Sequence, residues 1–598
     1  MDKNTVIGFS LIFLLMLGWF YFTMPSEEQM AEQRRQQAIQ DSLAFVEQQE
    51  LLREEQQIQQ QELTTQLEAE NEDDEASIVG MFSSNQDSTI SEFTVETPLY
   101  TAVFTTKGGG PSKFILKDHK TWDGKPVQLI RDTTRSAYNI GFLSTENYNV
   151  ETQNLNFRQV NAGSSLTVVE GDSKELTYVL DIGDGRTLQY TYLFFGDSYE
   201  VDLDIRFVGI RDYIIGRAVD FGWNSPLNFT ELDRVQEALG TSAYFYAGGE
   251  LEQVKADDFD DDNGVVEQSV NGNIDWVGSK TKFFAQIIQP TTPTDGAYLR
   301  GEINGEVDDP LTDHRYSTAI TSDIPSDGIV SYRLYMGPMK YYDVKDFNEH
   351  AFDMVEVGYG WLRWFSDPFV RFVVIPFFTF FSGFISNYGL LIIIFAASVK
   401  LILSPLTIKS YKSMAAMREL QPQMKEIQDK YKNDPQKQQK ATMDLYRKNK
   451  VNPLGGCLPM LLQFPILITL WRFFQNSILL RQEPFLWVSD LSAPDYIIDL
   501  PFSIPFLGDQ IAGLVLLMSA SMMLQSRLTS SATTGGSNNP MAQQMKIMQY
   551  FLPVMLLFFF NNFASGLSLY YLIFNLLSIV QQLYINKSTH QAAVAKAS

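Results

Sequence analysis

Apolar and polar residues are sorted along this chain into blocks, and each block has its own period. Residues 5–24 (TVIGFSLIFLLMLGWFYFTM) are an unbroken apolar run of about the 20 residues needed to cross a bilayer. Lys3 precedes it, and MPSEEQ follows without a small-residue cleavage pattern. The run therefore predicts an uncleaved membrane anchor over residues 1–25 rather than a signal peptide. Residues 26–89 are rich in Gln and Glu, poor in aromatics, and too polar to bury a core, which predicts a linker. From 90 to 345 the period becomes two. Segments such as FTVETPLYTAVFTT, KELTYVLDI, TLQYTYLFFG and YEVDLDIRFVGI alternate apolar and polar positions between Gly, Asp and Asn turns. That alternation predicts an all-β domain built as a large antiparallel sandwich.

Beyond residue 355 the alternation gives way to long apolar stretches. Residues 355–386 are dense in aromatics, with Arg363, Asp367 and Arg371 near the start. Spanning-length runs follow at about 388–406, 456–475, 505–524, 546–562 and 566–585, a predicted all-α membrane core over 387–586. Between the first two runs, residues 407–452 read as a helical hairpin turning at Asn433-Asp434-Pro435. Met414, Met417, Leu420, Met424, Ile427 and Tyr431 recur there at helical spacing as an apolar stripe. Residues 587–598 form a short tail.

Charge then fixes which way the runs cross. The 407–454 loop carries eleven Lys and Arg against five acids, and the loop near 525–546 has Arg527 and Lys546 with no acid. The 476–501 loop has Arg481 against Glu483, Asp490, Asp495 and Asp499. Basic loops stay inside, so the signs alternate as five spans require. With the anchor, six spans result, both termini are cytoplasmic, and residues 25–387 lie outside. The 355–386 segment must then lie flat in the outer interface, since one more crossing would put the basic loop on the wrong side.

Composition removes several functions. The formal net charge of −25 resides in the polar first half, which repels nucleic-acid phosphates. One cysteine, Cys457, allows no disulfide and no Cys-based metal site, and the four histidines are scattered. No cofactor or metal is expected. No nucleotide-binding GxxxxGK[ST] motif, HExxH motif or pair of intramembrane aspartates is present, so neither an ATP-driven machine nor an intramembrane protease is indicated. A transporter or channel with a large outside domain is the rival class, but no second half repeats the first.

The chemical anomaly is Lys400, inside the run LLIIIFAASVKLILSPLT. An intramembrane cation is unfavourable by about 2.5–3.5 kcal/mol. Two readings compete. Either its stem reaches up to the cytoplasmic interface, or it lines a hydrated cavity. The second agrees with other polar residues in the runs: Gln463, Gln475 and Asn476; Asn561 and Asn562; Tyr570, Tyr571, Asn575, Ser578, Gln581 and Gln582. Singly, each reads as an interhelical hydrogen bond worth about 1 kcal/mol. Together with Lys400 they read as a polar notch. Such a notch would shorten the barrier to a polar segment and attract its acidic residues.

Three stretches carry a resemblance: VKLILSPLTIKSYKSMAAMRELQPQMKEIQDKY, LYRKNKVNPLGGCLPMLLQFPI and FASGLSLYYLIFNLLSIVQQ. They resemble the YidC family of membrane protein insertases over about 355–586, and the outside domain resembles its Gram-negative form. The resemblance implies a β-supersandwich for 90–345, with FTTKGG at Phe104–Gly109 as its early strand and turn. It implies five helices forming an insertase core and no enzymatic activity. It implies a bacterial inner-membrane location and a groove at Lys400, where the family usually has Arg. Gln463, Phe464 and Leu467 would form the groove wall, with Tyr570 and Tyr571 opposite and Asn562 where the family has an aromatic residue. The hairpin contacts would be Met414, Met417, Met424, Lys425 and Lys430. The implied partners are nascent inner-membrane proteins, the Sec translocon with its accessory subunits, translating ribosomes and membrane lipids, with the protein acting as a monomer.

Overall fold

The structure is a computed structural model that describes residues 89–597 apart from 256–257, 260–263, 308, 432–433, 450–457, 505–506, 531–550 and 552. The anchor and most of the linker lie outside the described residues.

Residues 92–338 form the expected β domain, in three sheets of five, nine and six strands. Pairing is antiparallel except where Glu92–Glu96 meets Ser165–Thr167. Alternation along the strands produces the layers. In the strand Arg186–Phe195, Leu188, Tyr190, Tyr192 and Phe194 are buried and the residues between them are half-exposed. Strand register then shows how the sheets stack. Tyr192 pairs with Leu203 and Leu203 with Tyr332, so both tyrosines project from one face of the nine-stranded sheet. Tyr332 donates from its hydroxyl to Ser322 of the six-stranded sheet at 2.9 Å. The Tyr192 ring meets Phe104 of the five-stranded sheet edge-on at 4.9 Å. The two smaller sheets therefore lie side by side on one face of the large one. Each large side chain buried between the layers stabilises the domain by about 1.5–3 kcal/mol.

Below the β domain the chain turns helical. Arg363–Phe369, one π turn at Val370–Val374 and Ile375–Ser382 follow one another as an irregular aromatic helix. By length and composition the stretch Gly360–Ser382 could cross a membrane, whereas the alternation of loop charges predicts that it lies in the interface. Arg371 pairs with Asp353 at its β-domain end.

Among the described residues, α1 (Tyr388–Glu419), α2 (Gln421–Lys430), α3 (Pro435–Lys448), α4 (Leu458–Asn476), α5 (Gly513–Ser530) and α6 (Ser565–Ala597) follow, with a further helical stretch at 553–560 between the last two. Among the described residues, α1 and α6 contain apolar stretches of spanning length, and α5 contains a shorter one.

Two boundaries differ from the sequence reading. The apolar run at 505–524 does not begin a helix. Tyr496–Ile504 and Gly508–Ala512 pair as a hairpin, and α5 starts only at Gly513. Pro501, inside the first of these strands, opposes helix here. Asp495 then supplies the missing cap, accepting from the Leu514 N–H at 2.8 Å. The helical hairpin after the first apolar run also starts differently, because α1 runs unbroken from its apolar stretch to Glu419. The break falls at Leu420, where Pro422 opens the first turn of α2.

The loop after α4 joins the two halves. Arg481 is buried, pairs with Glu231 at 2.7 Å and donates to the Lys120 carbonyl at 2.6 Å. Its guanidinium lies over the rings of Phe283 and Phe284. Glu231 is aimed by its neighbour. The buried Glu237 carboxylate accepts from the backbone N–H groups of Thr230 and Glu231 at 2.8 and 2.9 Å.

Removing one partner of a buried pair strands the other. Arg481→Ala is therefore expected to lower stability by about 3 kcal/mol and to make 120–125 and 230–240 more protease-sensitive, measured by limited proteolysis of the full chain. A second expectation concerns acidity. Burial pushes the Glu237 carboxyl up from 4.5 to about 7, against the hydrogen bonds from Glu231 and Thr230 that pull it down. Between those values the folded chain holds a proton that the unfolded chain has released. The stability associated with this group is present below pH 4.5 and lost as pH rises through 7. Raising the pH from about 5 to 8 should weaken the β domain by roughly 2 kcal/mol, and Glu237→Gln should flatten that slope in urea titrations.

Candidate functional site

The site is a seam between α1 and α6, and helical spacing produces it. Lys400, Ser404 and Thr407 lie on one stripe of α1, and Phe574, Ser578 and Gln581 on one stripe of α6. The Lys400 ammonium donates to the Ser578 hydroxyl at 2.7 Å and sits 4.8 Å over the Phe574 ring. One turn further in, the Gln581 amide donates to Ser404 at 2.7 Å and accepts from Thr407 at 3.2 Å. On the other side of α6, Asn575 donates to Ser521 of α5 at 3.2 Å. A polar track on α6 thus serves helices on both flanks.

Lys400 is only 6% exposed. It lies twelve residues from the start of α1, about 18 Å along the axis. Ser578 is at about the same depth on α6, roughly 20 Å from Ser565. The ammonium is thus held by polar and aromatic groups deep within the bundle.

The other expected site residues divide by position. Gln463, Phe464 and Leu467 follow one another along α4. Phe464 is exposed, and Leu467 packs on the core. Gln463 lies near the Tyr571 hydroxyl without completing a hydrogen bond. Tyr570 and Tyr571 are buried, eight and seven residues outward of Ser578 on α6. Asn562 does not join them. It lies beyond the outer end of α6 and accepts from the Tyr496 hydroxyl at 3.0 Å. That places it about 20 Å from the depth of Lys400, where it fastens the outer hairpin rather than lining the notch. Its neighbour Asn561 does the heavier structural work. Asn561 is fully buried, accepts from the Ala512 N–H at 2.9 Å, and donates to the Leu507 and Gln510 carbonyls at 2.9 and 2.7 Å.

In the hairpin, α2 and α3 pack through Tyr446, whose hydroxyl reaches the Met424 sulfur at 3.2 Å. Lys425 and Lys430 are exposed, while the Met414 and Met417 side chains lie outside the described ones. Ser404, Thr407 and Ser521 were not singled out in the sequence, because one hydroxyl in an apolar run is unremarkable until its partner is known. Among the described residues no cluster of His, Cys, Asp or Glu is placed to hold a metal.

Asn561→Ala should destabilise the chain by about 2 kcal/mol or more, because it orphans one N–H and two carbonyls. Asn562→Ala at the exposed neighbour should change stability by less than about 1 kcal/mol. Thermal unfolding in detergent distinguishes the two.

The family description "60Kd inner membrane protein" matches residues 380–592, and "YidC periplasmic domain" matches residues 92–372. Membrane protein insertase YidC of Chlorobaculum parvum is 35% identical over 601 residues, covering 100% of this chain and 97% of its own. That of Chlorobium luteolum is 36% identical over 613 residues, again with 100% and 97% coverage. A putative aldose 1-epimerase of Escherichia coli K12 resembles 42% of this chain and 99% of its own, at 11% identity and a TM-score of 0.25, too slight a likeness to bear on activity. The relatives are named as insertases and not as enzymes, and nothing among them favours a transporter or channel. The chain belongs to the YidC family of membrane protein insertases, an inner-membrane protein whose β domain is the family's periplasmic domain.

Proposed function

We propose that insertion proceeds through the Lys400 seam, and the observation that carries this reading is the buried ammonium bonded to Ser578. A hydroxyl is a neutral acceptor, and a carboxylate makes a bond about twice as strong. An acidic residue in the outgoing tail of a client can therefore displace Ser578 from the ammonium. Gln581, Ser404, Thr407 and Asn575 supply donors and acceptors to the rest of the polar tail. The apolar helix of the client meanwhile lies against Phe464 and Leu467 on α4 and leaves sideways into lipid. Tyr570 and Tyr571 close the seam toward the periplasm. No nucleotide is needed, because burial of the apolar client segment in lipid drives the step.

The topology that fits this path has six spans, both termini in the cytoplasm and residues 25–387 on the periplasmic side. The hairpin of α2 and α3 then faces the cytoplasm. The methionines of its sequence stripe would give emerging segments an adaptable apolar partner. Lys425 and Lys430 face anionic lipid or the RNA of a translating ribosome. The protein works as a monomer, either alone or beside the Sec translocon, and shelters client helices while they fold.

Purified protein in liposomes, given a small Sec-independent client with an acidic outside tail, tests the mechanism. Lys400→Arg should retain insertion and Lys400→Ala should lower it by about tenfold, equivalent to about 1.4 kcal/mol. A client whose tail acids are replaced by amides should not distinguish the variants. Equal insertion of the acidic client by Lys400→Ala and the unaltered protein would remove the cation from the mechanism.

A further inference from the structure

The underside of the β domain carries large apolar side chains in the open. Trp122 is 60% exposed and Leu232 is 71% exposed. Their loops adjoin, since the Trp122 N–H donates to the Thr230 carbonyl at 3.0 Å. Both residues sit one position from atoms that hold the outer loop of the membrane core. Gln482 donates to the Thr121 carbonyl at 3.2 Å, and Arg481 pairs with Glu231.

That outer loop rests directly on the helix ends. The Phe485 ring fills the space over Gly389 at the start of α1, where a Cβ would overlap it. The carbonyls of Leu491 and Ala493 accept from Gly566 and Ser565 at the start of α6, at 2.9 and 2.8 Å. Asp495 caps α5. The outer loop therefore lies at the outer membrane boundary, and it places Trp122 and Leu232 there as well. The same loop exposes Trp487, and the hairpin after it exposes Ile497, Ile498 and Phe502. Trp487 donates its indole N–H to Asp495 at 2.9 Å and leaves its ring outward, one end polar and the other apolar. A lone two-stranded hairpin showing apolar residues is marginal in water. Lys120 is exposed beside Trp122, where a phosphate can receive it, while Lys125 is exposed but paired with Asp123 at 2.6 Å.

We propose that Trp122 and Leu232, with Trp487, Ile497 and Phe502, form one lipid-contacting rim, so that the β domain rests on the phospholipid headgroups of the outer leaflet. The occupant is the bilayer because the rim continues, at the same level, the apolar surface that the helix ends present to lipid. Trp and Lys are the side chains suited to that depth. The rim holds whether or not Lys400 takes part in insertion.

The test uses the full chain with its one cysteine removed (Cys457→Ser). A nitrobenzoxadiazole label is placed at Trp122→Cys, Leu232→Cys or, as the reference, Val208→Cys. Val208 is exposed and ends the strand Glu200–Val208. Glu200 lines a cleft of about 660 Å³ together with Tyr388, Arg481 and Glu483, and Val208 stands about 26 Å along the strand from it. Each protein is reconstituted in phosphatidylethanolamine–phosphatidylglycerol vesicles with nitroxide lipids, and retained insertion of a client confirms its fold. Labels at 122 and 232 should be blue-shifted and quenched several-fold more by headgroup nitroxides than the label at 208. Quenching at 122 and 232 no stronger than at 208 overturns the proposal. A shift seen only in native membranes, or only at high protein-to-lipid ratio, also overturns it and assigns the rim to another protein or to a second copy.

Discussion

Hydrocarbon offers no hydrogen bonds, and the membrane half of this protein is arranged around that fact. A polar group that enters is costly unless the protein itself answers it. Lys400 is answered by Ser578 and the Phe574 ring, Gln581 by Ser404 and Thr407, and Asn575 by Ser521. These pairs align α1, α5 and α6 in depth as well as in rotation, because a one-residue slip would separate all of them. The groups that could serve a polar client are thus the same groups that hold the bundle together. On the proposed path a client enters by exchanging bonds with these groups, and chains that bring good acceptors are favoured.

The β domain is joined to this bundle through α4 and the loop that follows it. At the outer end of α4, Arg472 lies over Tyr359 and pairs with Glu356 at 3.6 Å, while Asn476 donates to the Glu356 carbonyl at 3.0 Å. Trp471 stacks on Phe563. Five residues past the helix, Arg481 enters the β domain. The outer third of α4 is thereby fixed from three sides. Phe464 and Leu467, two to three turns further in, are positioned by contacts made outside the hydrocarbon.

The fold was legible wherever a residue announced its surroundings by itself. Strict alternation in Arg186–Phe195 disclosed a strand with one buried face, and a lysine in an apolar run disclosed a polar interior. Features that depend on distant partners were not legible. Arg481 counted only as one charge in an outer loop, since nothing nearby in sequence points to Glu231, 250 residues away. The start of α5 was misplaced because its cap, Asp495, stands eighteen residues ahead of Gly513, across a hairpin that reads as more apolar helix. Asn562 was assigned to the notch by likeness, and the chain turns it toward Tyr496 instead. Pro422 was an available cue for the break before α2, outweighed by a methionine stripe that runs past it.

The continuity of α1 has a mechanical meaning. At 32 residues it is a rod of about 48 Å, longer than the hydrocarbon is thick, with the cation near its middle and the α2–α3 pair at its tip. Swinging such a rod by 10° about its outer end carries the tip through about 8 Å. Pro405 lies one turn below Lys400 and has no N–H for the carbonyl of Leu401. The rod is therefore most compliant just past its charge. A load on the α2–α3 end bends it there first, so motion of that end is taken up at Pro405 before it reaches the ammonium.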